Sequence, residues 1–265
     1  MHFDPSPTTN HSYYMRLERV LGQAREGSAR LLDEHGDISP QQIELLARAC
    51  LPKQEDVRQV VESWISAGCD LEDIYLHGVC KAARLLGVWW MSDEVDFANM
   101  TIASYRLHQL MFDLSPTFLA DSACKANGLS ALLFATPGSH HTMGVLMLSE
   151  FFRRGGWSVT RDIPETKKDF LRLVETDWFD FIGISVNHDQ TADDVRAMIM
   201  EIRQVCPNRD LVVMVGGMIG MDPEQFRQAV GADLLGTDAR NAQSLALKSV
   251  LSKAAPEPQR QQKVS

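Results

Sequence analysis

Three short stretches carry residue types that packing alone does not call for. The first is Thr136-Pro137-Gly138-Ser139-His140-His141-Thr142-Met143-Gly144, a Gly- and His-bearing loop that enters an apolar helical pattern. The second is Ser185-Val186-Asn187-His188 and the third is Gly216-Gly217, each at the end of an apolar run of strand length. A neutral imidazole is a good donor to a borderline transition metal. A serine hydroxyl both donates and accepts, and paired glycines leave bare backbone against which a ligand can lie. The string reads S-x-H-x-x-G (Ser139 to Gly144), forty residues, S-x-N (Ser185 to Asn187), twenty-eight residues, then Gly216-Gly217. Taken singly these are ordinary: a loop His pair is more often solvated than metal-bound, and a Gly pair after a strand is usually a turn. The joint spacing carries the information.

The elements that must hold these stretches follow from hydrophobic periodicity. From about residue 128 to 253, strand-length apolar runs alternate with amphipathic helices: Ala131 to Ala135, Trp157 to Ile163, Phe179 to Val186, Leu211 to Val215 and Asp233 to Gly236. One intervening helix begins near Gly144 and another covers Phe170 to Glu175. Five strands separated by helices imply an α/β domain with a doubly wound parallel sheet of Rossmann-like, flavodoxin-like type. Ligands of such sheets sit beyond the carboxyl ends of the strands, and all three stretches fall on that edge.

Upstream, residues 13–120 repeat apolar positions at three- and four-residue steps and read as a helical bundle. Val57, Val60, Val61, Trp64 and Ile65 form one face ending at Gly68, and Leu71, Ile74, Val79, Ala82, Ala83 and Leu86 continue after Asp70. Ser92 reads as the N-cap of the next helix, with Asp93 and Glu94 in its first turn and its end near Leu119. Asp121 to Gly128 is the linker candidate, and the polar ends, 1–12 and 254–265, are expected to be disordered. Trp64, Trp89 and Trp90 at helical spacing are most simply core residues, and His77 and His108 core-edge or surface ones.

The spacing of the three stretches resembles the cobalamin-binding signature of methionine synthase, corrinoid methyltransferase proteins and B12-dependent photoreceptors: D-x-H-x-x-G, about forty residues, S-x-L, just under thirty, G-G. The resemblance implies a B12-binding domain in which His141 ligates cobalt in place of the cofactor's own benzimidazole. His140 is a competitor, but the register favours His141. The displaced nucleotide tail would pass beside Ser185, with Gly216 and Gly217 giving it room and Gly144 letting the helix start close to the ligand. Two positions depart. Ser139 stands where the family has an Asp that supports the ligating imidazole, a change that often costs roughly 10- to 100-fold in affinity or activity, and Asn187 replaces Leu.

Leu86-Gly87-Val88-Trp89-Trp90 followed by Glu94-Val95 resembles the helical cap of the cobalamin photoreceptors, in which Trp89 or Trp90 would shield the upper face of the corrin. Counting from Trp90, the W-x9-E-H pattern of DNA-binding members is interrupted by Met100-Thr101, and no DNA-reading module precedes the cap. The chain is thereby identified with the AerR/PpaA group. The resemblance implies a light-responsive, non-enzymatic antirepressor that binds adenosyl-, methyl- or hydroxocobalamin, whose cap and B12 domain shift when light acts, and whose partner is a CrtJ/PpsR-type repressor of photosynthesis genes.

Composition agrees with that expectation and narrows the rest. At 265 residues, with 45% hydrophobic and 23% charged residues, both halves can bury a core. A net charge of −9 would repel a phosphate backbone, so direct nucleic-acid binding is not expected. Five cysteines, odd in number and without a C-x-x-C pair, suit a reduced cytoplasm. No basic-plus-apolar leader opens the chain and no run of 18 apolar residues occurs, so no membrane partner is expected. Three rivals stand beside this reading: a corrinoid methyl-carrier protein, for which Ser139 is unfavourable; a haem-binding sensor of related fold, which would have no nucleotide tail to house; and an empty B12-like fold used for protein contact alone.

Overall fold

A computed structural model describes residues 38–52, 56–120, 125–136, 142–161, 166–187 and 190–254. The chain divides into two compact units between Pro116 and Thr117. Of the expected ends 1–12 and 254–265, residues 1–12 and 255–265 fall outside the described residues, as do 121–124 of the linker candidate, while Ala254 belongs to the last helix.

The first unit is helical. Helix α1 (Pro40–Ala49) starts where Ser39 closes a capping box with Gln42, a proline following at the first helical position. Helix α2 (Val57–Ser66) starts at Asp56, whose side chain accepts the Arg58 N–H at 2.9 Å. After Gly68, with φ +92°, Asp70 caps the turn Leu71–Asp73, which continues through a π-helical turn (Ile74–Val79) into α3 (Cys80–Met91). Trp64 is a core residue at 3% exposure, and Gly78 is what lets it pack: a Cβ there would lie 2.9 Å from the indole ring. The carbonyls that end α1 are satisfied from afar, since Arg106 donates to Ala49, Cys50 and Leu51 at 3.3, 3.4 and 2.6 Å. Burial pushes the adjacent Cys50 thiol up to about 12 against the opposing pull of Arg106.

Ser92 does not cap the next helix. It is the C-cap of α3, its hydroxyl 2.9 Å from Glu94 Oε1 and 3.2 Å from the Trp89 carbonyl. Asp93 turns to φ +59°, and the N–H groups of Glu94 and Val95 both donate to the Trp89 carbonyl, at 2.8 and 3.2 Å. This turn uses up Ser92, Asp93 and Glu94 in ending one helix, so α4 (Phe97–Ala120) begins later, with Asp96 accepting the Asn99 N–H at 2.8 Å. Within this unit the hydroxyl of Tyr75 donates to the Met111 carbonyl at 3.2 Å.

The second unit is the expected parallel sheet, in the order β2-β1-β3-β4-β5. The strands are β1 (Ser130–Ala135), β2 (Ser158–Arg161), β3 (Phe181–Val186), β4 (Val212–Gly217) and β5 (Leu234–Gly236), every pairing parallel. Their ends differ from the expected ones by a residue or two, and residues 162 and 163 of the expected second strand lie outside the described residues. Helices α5 (Met143–Arg154) and α9 (Ala239–Ala254) cover one face. Helices α6 (Lys167–Thr176), α7 (Ala192–Val205) and α8 (Pro223–Val230) cover the other. The order 2-1-3-4-5 reverses between β1 and β3, and ligands of doubly wound sheets bind at such a switch point.

Candidate functional site

Strand register decides what meets what at the carboxyl edge. Ala135 lies opposite Ser185, Ser185 opposite Gly216, and Gly216 opposite Gly236, so four small residues form one row across β1, β3, β4 and β5. Alternation along each strand turns this row toward the face covered by α5 and α9, because Ala135, Phe181, Met214 and Leu234 pack on that side. One step inward, the row Leu133, Gly183, Met214, Leu234 is bulky apart from its glycine. A slot with a small-residue mouth and an apolar floor results. Ala135 is fully buried, whereas Ser185, Gly216 and Gly236 stay half-exposed.

Four of the site residues predicted from the sequence meet in this slot. Ser185 presents its hydroxyl, and Gly144, the second residue of α5, stands over it: a Cβ on Gly144 would lie 3.5 Å from Ser185 Oγ, and one on Gly217 3.3 Å from it. Gly144 thus keeps the hydroxyl uncovered without being forced sterically. The two glycines of β4 have reasons of their own. A Cβ on Gly216 would lie 2.9 Å from the Gly236 carbonyl, and Gly217 sits at φ +106° with its absent Cβ directed into the Val186 carbonyl. The Met218 N–H then donates to that same carbonyl at 2.9 Å. Asn187, just beyond β3, is buried, and its main-chain carbonyl accepts the Gln190 N–H at 3.0 Å.

Ser139, His140 and His141 lie outside the described residues, so the proposed metal ligand rests on the sequence pattern between β1 and α5. Trp89 and Trp90 belong to the first unit. The Arg48 guanidinium lies 5.1 Å over the Trp89 ring, and Trp90 is 48% exposed. His77 and His108 are half-buried there, with His77 Nε2 3.9 Å from Asp73 Oδ1 and His108 Nδ1 2.8 Å from the Ser104 carbonyl.

Sequence reasoning missed Ala135 and Gly236, and named Thr136 within its loop without a role. Thr136 follows β1, donates its N–H to the Ser185 carbonyl at 3.1 Å and is fully buried, yet among the described residues its hydroxyl has no hydrogen-bond partner. A buried hydroxyl left unpaired costs about 1–3 kcal/mol, so the edge holds polar capacity that the described residues do not use. A slim heterocycle on a flexible tether fits this arrangement: bare backbone on the sides, one hydroxyl within reach, and an apolar floor.

Among the described residues no group of three His, Cys, Asp or Glu side chains could hold a metal ion, and no helix is long and apolar enough to cross a membrane.

The comparisons with known proteins bear on the domain that carries this edge. The family model described as the B12 binding domain matches residues 129–244. The chain is 32% identical over 173 residues, 65% of its length, to an uncharacterized 20.5 kDa protein in the bchF-crtJ intergenic region of Rhodobacter capsulatus, and covers 90% of that relative. The monomethylamine corrinoid protein of Methanosarcina barkeri superposes with a TM-score of 0.66 over 79% of this chain and 99% of its own, at 14% identity.

Proposed function

Because the chain belongs to the B12-binding domain family, and is thus a cobalamin-binding protein, we propose that it is a cytoplasmic, light-responsive transcriptional regulator acting as an antirepressor on a CrtJ/PpsR-type repressor, without catalysis of its own. The observation that carries this reading is the likeness to the Rhodobacter capsulatus protein, whose description sets it beside crtJ and whose length is matched almost throughout. Bound cobalamin would supply a light-sensitive bond between cobalt and its upper ligand. His141, on the loop between β1 and α5, would ligate the cobalt from below, with His140 beside it. Ser139 lacks the carboxylate that would hold a ligating imidazole in one tautomer and raise its basicity, so the ligation is set up to exchange readily. The Ser185 hydroxyl would donate to the displaced base, Asn187 would bring a polar amide near it, and Gly144, Gly216 and Gly217 would leave its path clear. The acidic net charge of −9 suits a protein partner better than a nucleic acid.

The test is the visible spectrum of the purified protein mixed with adenosyl-, methyl- or hydroxocobalamin, in the dark and after illumination, for the wild type and His141→Ala. Corrin bands that are retained, shift with light and change on loss of His141 are expected, followed by light-dependent capture of the repressor. Retained bands indifferent to light would leave a carrier, the second reading, which the fold likeness to a corrinoid protein favours. A carrier would accept a methyl group from a corrinoid methyltransferase; the regulator would not.

A further inference from the structure

Met214 lies below the slot, and its side chain has taken the space that a residue at 236 would need. A Cβ on Gly236 would be 3.0 Å from Met214 Sδ, 3.6 Å from its Cγ and 3.6 Å from the Ala242 Cβ. Register explains the contact: Gly236 pairs with Gly216 and Met214 with Leu234, so the thioether rises from one row toward the next across the β4–β5 seam. Met214 is buried, while Gly216 and Gly236 at the mouth are half-exposed. Methionine is unbranched with three rotatable bonds, which makes it an adjustable filler where a Val or Ile would be a fixed one.

We propose that Met214 is the floor of the tail slot and that Gly236 is the space into which its thioether is parked, so that the pair sets how much room the cofactor's nucleotide base is given. The proposal rests on the cobalamin-binding reading. A side chain at 236 pushes the thioether back toward Ser185 and Gly216 and narrows the slot. The atoms that a Cβ at 236 meets first belong to Met214 and Ala242, on β4 and α9. Gly236 is thereby a specificity position outside the S-x-H-x-x-G, S-x-N and G-G stretches, and it acts on the tail alone.

Hydroxocobalamin and aquacobinamide, which carries the corrin but no nucleotide tail, separate tail from ring. Both are titrated against the full chain as wild type, Gly236→Ala and Gly236→Val, with binding read from the corrin bands retained after gel filtration and from tryptophan quenching. Gly236→Val is expected to lose about 10-fold or more in cobalamin affinity, the order that overpacking of a tight site brings, and Gly236→Ala a smaller amount, while cobinamide binds all three alike. Gly236→Ala presses closest on the flexible end of Met214, with the Ala242 Cβ at ordinary contact distance, so it supplies the answer should the valine variant fail to fold. Equal cobalamin affinity across folded variants overturns the proposal, as does a parallel loss of both ligands. A wild type that takes up neither ligand instead removes the cobalamin reading on which the proposal stands.

Discussion

The two faces of the five-stranded sheet are built differently as they approach the carboxyl edge. On the face covered by α6, α7 and α8 the strand residues are large up to the last position: Leu132 and Phe134 on β1, Ile182, Ile184 and Val186 on β3, and Val213 and Val215 before the terminal Gly217 on β4, with the large ones all buried against Phe170, Val195, Ile199 and Phe226. On the face covered by α5 and α9 they taper from Leu133, Phe181 and Met214 to Ala135, Ser185, Gly216 and Gly236. A closed interior normally fills such positions to crystal-like density. One face is therefore spent on folding and the other gives up packing at its mouth, which is where a ligand can be admitted.

That contrast can be broken most directly on the packed face. Phe134→Ala removes a fully buried ring whose centroid lies 4.1 Å from that of Phe170, and it is expected to lower unfolding free energy by about 3–5 kcal/mol, measured by urea denaturation of the cofactor-free protein. A loss below that of a surface mutant would mean that this face does not carry the fold. At the carboxyl end of β4, Gly217→Ala should destabilise the cofactor-free protein by about 1–3 kcal/mol, because φ is +106° and the methyl meets the Val186 carbonyl. Unchanged stability would show that the glycine there answers to the ligand alone.

Ser185→Ala sharpens the contrast from the other side. It should change stability by less than about 0.5 kcal/mol and weaken cobalamin binding about 5- to 10-fold, the net worth of one hydrogen bond, as read by titration of the corrin bands. A large stability loss with intact binding would reverse the assignment of the two faces. The smallest effect is expected for Lys167→Ala, which removes the exposed 2.6 Å ion pair between α6 and Glu201 of α7. Less than about 1 kcal/mol should be lost, since packing rather than surface charge holds these helices; a larger loss would argue that the packed face depends on its rim.

What could be read in advance was local. Periods of 3.6 and 2 are properties of neighbouring residues, so the helical first unit, the five strands and their order of alternation with helices were all legible, as were Gly144, Ser185 and Gly216-Gly217 on one edge. Ser92 misled because Ser-Asp-Glu is as good a helix start as a sequence can offer; the left-handed turn at Asp93 drew all three into ending the helix before it, and Asp96 took the cap. Nothing in the sequence marks Gly78 as the seat of Trp64, fourteen residues earlier.

The sequence by itself determined which residue types are available at the sheet edge and, through hydrophobic periodicity, that they share it. Only the tertiary structure decided which of them stand in one row. Ala135, Ser185, Gly216 and Gly236 are spread over about a hundred residues, and a register shift of one position would turn any of them to the opposite face. Register is fixed by packing between distant strands and by the helices laid across them. The row of small residues, the Met214 thioether against Gly236 and the hydroxyl between two glycines are thus consequences of non-local contacts that no local pattern records.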